Sequence, residues 1–431
     1  MELHSSAPFS DDDARAVARD FAYLQQHVDG RALAYLDSAA TAQRPAAVLD
    51  AERSFSELHN AAVHRGASSA VGAATLAFED ARETVARFVG AEPSSIIWTA
   101  NATDALNMVA LGMADANAGL GDPAADIFRL GPGDEILVTE AEHHANLIPW
   151  QRLAQRTGAQ LRWIPVRSDG TWTIDDARAA ISASTKVVAF AHVSNVTGLL
   201  APVEELTALA HEHGALVVLD ACQSVPHLPV DFAALGVDFA AFSAHKMLGP
   251  NGLGVLYGRP ELLAALPPAR TGGSTITTVT MKRAEFLPAP QRFEAGTQAV
   301  SQTVALAEAV RYLEQHGMER IAVREHELLG RLLDGIAGIS GVRVLGPSER
   351  AARVALVSVD VEGVHAHDVG QILDEHGVLV RVGHHCAQPL HRALGISASV
   401  RASVHLYTSN DDIDRFVAGL QETQRYFGVS A

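Results

Sequence analysis

The chain has 431 residues, with 33 basic and 50 acidic side chains and a formal net charge of −17. That field repels phosphate backbones and anionic lipid, which argues against nucleic-acid and membrane-surface binding and suits a partner with a basic patch. Hydrophobic residues make up 48% and charged residues 19%, as in a globular protein with a real core, and the length predicts more than one domain. Two cysteines, Cys222 and Cys386, are too few for a disulfide framework. The start, "MELHSSAPFSDDDARAVARD", lacks the basic-then-apolar order of a signal peptide, and no apolar run approaches membrane length. These features point to the cytoplasm.

In chain order, "ADANAGLGDPAADIFRLGPG" (114–133) is rich in Ala, Gly and Asp and predicts a surface insertion. Six short apolar runs follow: "DEILVT", "AQLRWIPV", "KVVAFAHVS", "ALVVLDA", "DFAAFSA" and "GLGVLYG". Their near-continuous apolar character predicts strands covered on both faces. Helical patterns lie between several of them, such as "PVEELTALAHEHG", stopped by Gly214. The rhythm predicts an α/β domain with a largely parallel sheet. After about residue 300 the texture changes. "TVALAEAVRYLEQHG" predicts a helix stopped at Gly317. "VSVDVEG", with Val357, Val359 and Val361 alternating with polar residues, predicts a half-buried strand. "VHAHDVGQILDEHG" then predicts a helix and "VLVRVG" a strand, together a smaller α+β domain.

Lysine occurs only at positions 186, 246 and 282. Asp220 ends one apolar strand and Lys246 follows another, at the carboxyl ends where open α/β sheets hold ligands. A salt bridge is one reading of such a pair. The other is pyridoxal phosphate, with the Lys amine on the aldehyde and the Asp carboxylate holding the ring nitrogen protonated. "WTANATDALN" places Asn101, Thr103 and Asp104 at a helix N-terminus, where free amides suit an anion but also serve ordinary capping. Ser243 and His245 could add donors. His143 and His144 directly follow a strand, and either imidazole could stack on a pyridine or lie at the surface.

The motifs "EHHANLIPW", "HVSNVTG", "DACQ", "FSAHKMLGPNGLGVLYG", "TGGSTI", "RFEAGT", "RVGHHCAQPLH" and "RASVHLY" occur in collinear order. Together they resemble the group II, SUF-type cysteine desulfurases of the class V aminotransferase superfamily, which are fold-type I pyridoxal-phosphate enzymes. The resemblance runs from "YLDSAATAQRP" to "SNDDIDRFVAGL", nearly the whole chain. It implies a large pyridoxal-phosphate domain over 31–300, with a mostly parallel seven-stranded sheet between helices. It also implies a small α+β domain over 301–431 carrying Cys386 and Arg401, and an N-terminal segment, 1–30, packed with the small domain. By the same resemblance Lys246 is the cofactor-bound lysine and proton shuttle, Asp220 pairs with the ring nitrogen, Gln223 meets the ring hydroxyl and His143 stacks on the ring. The Ala102 amide, Thr103, Ser243 and His245 hold the phosphate. Gly296 and Thr297 reach the phosphate of the other subunit of a homodimer. Asn195 sits near the ring and the substrate carboxylate, which Arg401 binds; Arg381, His64 and Arg65 complete the substrate side. The implied reaction converts L-cysteine to L-alanine and passes sulfur to Cys386, then to an acceptor protein of a SUF-type system for iron–sulfur cluster assembly. Three places depart from the family pattern: Ala62 and Ser68 stand where Asn and a second His are usual, Asn101 and Ala102 where Gly and Thr are usual, and Gln298 and Ala299 where Pro and Asn are usual.

Cys386 itself has three readings. Zinc is poorly served, because adjacent residues in an extended segment point to opposite sides and no Cys-x-x-Cys partner exists. An inert core thiol would prefer apolar neighbours, whereas Arg381, Gly383, His384 and His385 surround this one. Cationic and imidazole neighbours would lower a thiol pKa, which favours a nucleophile; Cys222 is then the inert cysteine. A class V lyase, epimerase or aminotransferase on the same fold would ignore Cys386, whereas a selenocysteine lyase needs the same parts. A non-catalytic sulfur-relay scaffold would have no use for the set Lys246, Asp220 and Gln223.

Overall fold

A computed structural model describes residues 9–28 and 30–429. The expectations for residues 1–8, in the N-terminal segment, lie outside the described residues. The central layer is a seven-stranded sheet. Its strands are β1 (Ile96–Thr99), β2 (Glu135–Thr139), β3 (Gln160–Ile164), β4 (Thr185–Ala191), β5 (Leu216–Asp220), β6 (Phe239–Ser243) and β7 (Gly254–Gly258). They are ordered β1-β7-β6-β5-β4-β2-β3. β2 to β6 run parallel, and β7 alone is antiparallel to both neighbours. Every residue of β2, β6 and β7 is buried, because helices cover both faces of the sheet. The parallel crossovers bring the ends of β1, β2, β4, β5 and β6 to one edge, and the ligand crevice of an open α/β sheet lies there.

The smaller body is a four-stranded antiparallel sheet, in the order Val342–Leu345, Leu356–Val361, Ser399–Ser403, Arg381–Gly383. Helices Met318–Ala337, Ala366–Glu375 and Asn410–Phe427 close a core over one face through Leu328, Leu332, Val369, Leu373, Phe416 and Leu420. Fold class is therefore as the sequence implied: α/β with a second, smaller α+β part.

Several expectations need correction. The strand at Val357, Val359 and Val361 is not half wet. Ser358 is fully buried, and its hydroxyl donates to the Val196 carbonyl at 2.6 Å, because the large body covers that face. "VLVRVG" is two strands. Val378–Leu379 pairs in parallel with Ala34–Tyr35, and Arg381–Gly383 pairs with Ser399–Ser403. The helix Val300–His316 shares its core with Phe78, Val85 and Val48 of the large body, so that core continues past residue 300, as far as Met318 and Ile321. The N-terminal helix Asp11–Ala18 straddles the two bodies: Phe9 packs edge-on to His316, while Asp11 accepts bonds from Arg324 and from the Asn410 amide. The segment 114–133 is no simple surface insertion. Its first residues finish the helix Ala102–Asn117, and Ala125, Phe128 and Leu130 plug into the core beneath it.

Candidate active site

A cavity of about 530 Å³ opens at the carboxyl edge of the sheet. Its lining includes Asn101, Ala102, Thr103, His143, Asn195, Asp220, Ser243, His245 and Lys246 from the large body, and Arg381, His385, Cys386 and Arg401 from the small one. Strand register explains the meeting of Asp220 and Lys246. Asp220 pairs with Ala241 on β6 and with Ala191 on β4, so it sits beside the point where β6 runs out into Ser243 and a single turn, Ala244–Lys246. Asp220 is 6% exposed and accepts the Cys222 amide at 3.0 Å. Cys222 is buried, and burial pushes its thiol far above the usual value. It is the unreactive cysteine in this geometry.

The wall after β2 is held by a network that sequence reasoning missed. Glu142 is buried and accepts bonds from the Thr139 hydroxyl at 2.6 Å, the Asn146 amide at 2.7 Å and the Ala191 amide at 3.1 Å. Asn146 in turn accepts from the Trp150 indole at 3.0 Å. Burial drives the Glu142 carboxyl up to about 8. "EHHANLIPW" therefore encodes a clamp as well as two histidines. The clamp points His143 at the cavity, where its Nδ1 accepts the Ala145 amide and burial, with the Lys246 charge, pushes its pKa down to about 4. His143 is thus a neutral ring. His144 faces the other way and serves the cysteine loop.

That loop is gripped from the large body. The His144 amide donates to the Cys386 carbonyl at 2.7 Å, the Gln388 amide donates to His144 Nε2 at 3.1 Å, and the Asn195 side-chain amide donates to the His385 carbonyl at 2.6 Å. His385 and Cys386 both adopt left-handed backbone, φ +49° and +57°. Two such residues in a row store strain of order 1–3 kcal/mol each, which the clamping bonds must offset. The result is an exposed thiol between a buried His385 and a buried Ala387. For His385 the imidazole support expected for the thiol needs correction: its ring turns inward to Ser399 Oγ at 2.9 Å, and burial, then Arg401, push it down to about 2, so it carries no charge.

Arg401 is 3% exposed. Its guanidinium donates to the Asn195 carbonyl at 3.0 Å and to Asp37 at 3.4 Å, while its Nε has no partner. Burial lowers it to about 10, so it remains a cation at neutral pH. The more exposed Arg381 lies 3.6 Å from Asp37. At the opposite wall Asn101 caps the helix Ala102–Asn117 by accepting the Asp104 amide. The Ala102 amide already donates to Ser243 Oγ at 2.9 Å, so these two expected anion donors also bond each other. Gln223 is buried, with its amide nitrogen donating to the Ala39 carbonyl at 2.8 Å.

Four expected residues lie elsewhere. Arg65 and Thr297 line a separate cavity, together with Ala62 and Gln298. His64 pairs with Glu79 at 2.7 Å, and Gly296 follows the buried Glu294. No local sequence signal announces the ion network that joins them. Arg82 is fully buried, contacts both Glu294 oxygens at 2.7 and 2.9 Å and also bonds Glu79 at 2.9 Å. Within one chain, then, "HRG" and "RFEAGT" are tied to each other and not to Lys246.

A buried strand-end carboxylate beside a lysine, a neutral imidazole wall, a helix N-terminus and a buried guanidinium with a spare donor fit a phosphorylated pyridine aldehyde carrying an amino acid. The fold and the cavity together define a fold-type I pyridoxal-phosphate enzyme. The aminotransferase class-V family profile matches residues 34–416, and the chain belongs to that family. It is 52% identical over 417 residues to a probable cysteine desulfurase 2 of Mycobacterium leprae, covering 96% of this chain and 98% of that protein. A probable cysteine desulfurase of Streptomyces coelicolor is 46% identical, over 96% and 98% of the two chains. Among solved structures, the apo cysteine desulfurase from Thermococcus onnurineus NA1 superposes with a TM-score of 0.89 at 36% identity, covering 98% of this chain and 99% of that one. The Escherichia coli cysteine desulfurase CsdA, in an S-sulfonic acid form, gives 0.85 at 34% identity, over 97% and 100%. Identity of this order along nearly the full length makes the chain an enzyme of the type they represent, with pyridoxal 5′-phosphate as cofactor.

Proposed function

We propose that the protein is a cysteine desulfurase that moves sulfur from L-cysteine to Cys386 and releases L-alanine. One observation carries the reading: an exposed cysteine, held in left-handed backbone by bonds from the His144 main-chain amide and the Asn195 side-chain amide, stands on the rim of the cavity that contains Lys246 and Arg401. When bound, pyridoxal phosphate supplies an aldehyde that captures amines and a ring that withdraws electrons from the substrate α-carbon. Lys246 is the amine that holds the aldehyde and then moves the α-proton. Asp220 keeps the ring nitrogen protonated, and the neutral face of His143 covers the ring. Gln223 meets the ring hydroxyl through the amide hydrogen that Ala39 does not use. Thr103, Ser243, His245 and the Ala102 amide receive the phosphate at the helix N-terminus, where the backbone dipole favours an anion. Arg401 takes the substrate carboxylate, with Arg381 at the entrance and Asn195 alongside. This fixes the substrate sulfur toward Cys386. The Cys386 thiolate then attacks that sulfur; an S–S bond forms as the Cβ–S bond breaks, leaving a persulfide on the protein, while the electron pair of the broken bond stays with the three-carbon fragment, which takes up a proton at Cβ and leaves as L-alanine.

A two-fold homodimer would bring Gly296, Thr297, His64 and Arg65 of one subunit to the cavity of its partner, which gives these residues a role that a single chain does not. The persulfide is offered to an acceptor protein of a SUF-type system for iron–sulfur cluster assembly in the cytoplasm; its exposure supports transfer to another protein. Mass spectrometry after incubation with L-cysteine tests the reading. One added sulfur on the peptide carrying Cys386 is expected. Cys386→Ala is expected to lose desulfuration while keeping the yellow cofactor complex, and full sulfide release by that variant refutes the role. Comparing turnover of L-selenocysteine and plain amino donors separates the lyase and aminotransferase alternatives.

A further inference from the structure

Behind the Lys246 turn lies a row of buried titratable side chains that the proposed chemistry does not use. Glu325, on the helix Met318–Ala337, is 3% exposed, and both its oxygens meet Nδ1 of His227, at 3.0 and 3.1 Å. His227 lies in the turn after β5, 6% exposed, with its ring centroid 5.0 Å from that of His405. His405 is fully buried, just past the strand Ser399–Ser403, and stacks on Tyr407 at 5.4 Å and 21°. Its Nδ1 accepts the Leu406 amide at 2.8 Å, which puts the ring proton on Nε2. That Nε2 faces the Lys246 backbone without a well-formed hydrogen bond to any group. A buried donor left short of a partner is costly, and such groups concentrate where the fold has a use for them.

We propose that His405 is a positioning residue for Lys246. Its Nε2–H bears on the backbone of the single turn Ala244–Lys246, and the buried Glu325–His227 pair packs against the ring. The proposal rests on the reading of Lys246 as the cofactor-bound lysine. The geometry favours it for two reasons. Lys246 must hold the cofactor and then swing free, so a small rotation of its short turn is magnified at Nζ, at the end of a four-carbon stem. His405 is also suited to a constant donor role: burial holds it well below the ordinary imidazole range, so it stays neutral. The groups facing it are His227 and Tyr407, with Lys246 beyond the Nε2–H.

The test uses the cofactor-loaded enzyme with His405→Leu, which removes the donor, and His405→Gln, which keeps one. The readouts are the pH titration of visible absorbance, kcat and KM. His405→Leu is expected to move the titration midpoint by about half a pH unit or more and to lower kcat roughly tenfold, with KM for L-cysteine within about twofold of the starting value. His405→Gln is expected to restore both. Identical behaviour of the two variants, whether intact or equally impaired, overturns the proposal. Should His405→Leu fail to fold, Glu325→Gln is read instead: a shifted midpoint supports the proposal, and a lowered Tm with an unmoved midpoint overturns it. Borohydride reduction of the unaltered enzyme separates the two levels. No added mass on the Lys246 peptide sinks the lysine assignment and the proposal with it; intact trapping with indistinguishable variants sinks the proposal alone.

Discussion

Replacing Gly254 by alanine perturbs the phosphate end of the cavity from a residue outside it. Gly254 begins β7, and its backbone is not left-handed, so the added methyl brings no dihedral strain. The difficulty is room. A Cβ there would sit 2.5 Å from both the Asn101 Cα and carbonyl carbon and 3.0 Å from the Ala102 nitrogen. Ordinary carbon contacts need about 3.5 Å or more, so the clash is relieved only by moving the helix start by about 1 Å. All three atoms are backbone, and no side chain can yield in their place. Overpacking of this kind costs about 1–3 kcal/mol of stability. Misplacing a binding group by about 1 Å costs on the order of 100-fold in function. The expected result is a pyridoxal-phosphate dissociation constant raised at least about tenfold, or ~1.4 kcal/mol, by equilibrium dialysis on apoenzyme with an unchanged far-ultraviolet spectrum. Affinity within about twofold of the starting value would show that the β7 contact does not set the anion cradle.

Other outcomes follow from the same geometry. Arg401→Lys loses the planar fork at a buried site and is expected to raise KM for L-cysteine roughly 10- to 100-fold, about 1.5–3 kcal/mol, with kcat changed less; an unchanged KM removes Arg401 from the carboxylate site. Glu294→Gln leaves the buried Arg82 with Glu79 as its remaining acid partner and is expected to lower unfolding free energy in urea by about 3 kcal/mol. For Glu142 the sign is set by a carboxyl raised to about 8 in the fold against about 4.3 in the unfolded chain. Between those values the folded state holds the extra proton, so this group's contribution to stability is full at low pH and is lost as pH rises toward 8. Glu142→Gln is therefore expected to flatten the decline of urea stability between pH 5 and 8, by up to about 1.4 kcal/mol per pH unit; parallel curves for the two proteins would show that Glu142 does not carry the proton.

The residues that line the candidate site were legible in the sequence because each stands next to a local signal. Asp220 and Lys246 follow continuous apolar strands, Asn101 precedes a helical period, and Cys386 sits in a loop between a strand and a helix, so strand ends alone placed most of the cavity wall. The errors arose where a face or a partner decides. Alternation at Val357–Val361 correctly implies one buried face but cannot say that a second domain buries Ser358 on the other. A run such as "VLVRVG" shows strand propensity, yet Ala34–Tyr35 and Ser399–Ser403 compete for its two halves.

What the sequence by itself determined is the order of the α/β elements and which polar groups stand at their ends, since strand period, capping and motif spacing act over a few residues. Tertiary structure alone decided which way those groups face. It turned the His385 ring inward and left Cys386 outward, aimed His143 by way of Glu142, tied Arg82 to Glu294, and set Glu325, His227 and His405 in a row behind Lys246. These pairings join residues far apart in the chain through burial and hydrogen-bond satisfaction, and no local period encodes them.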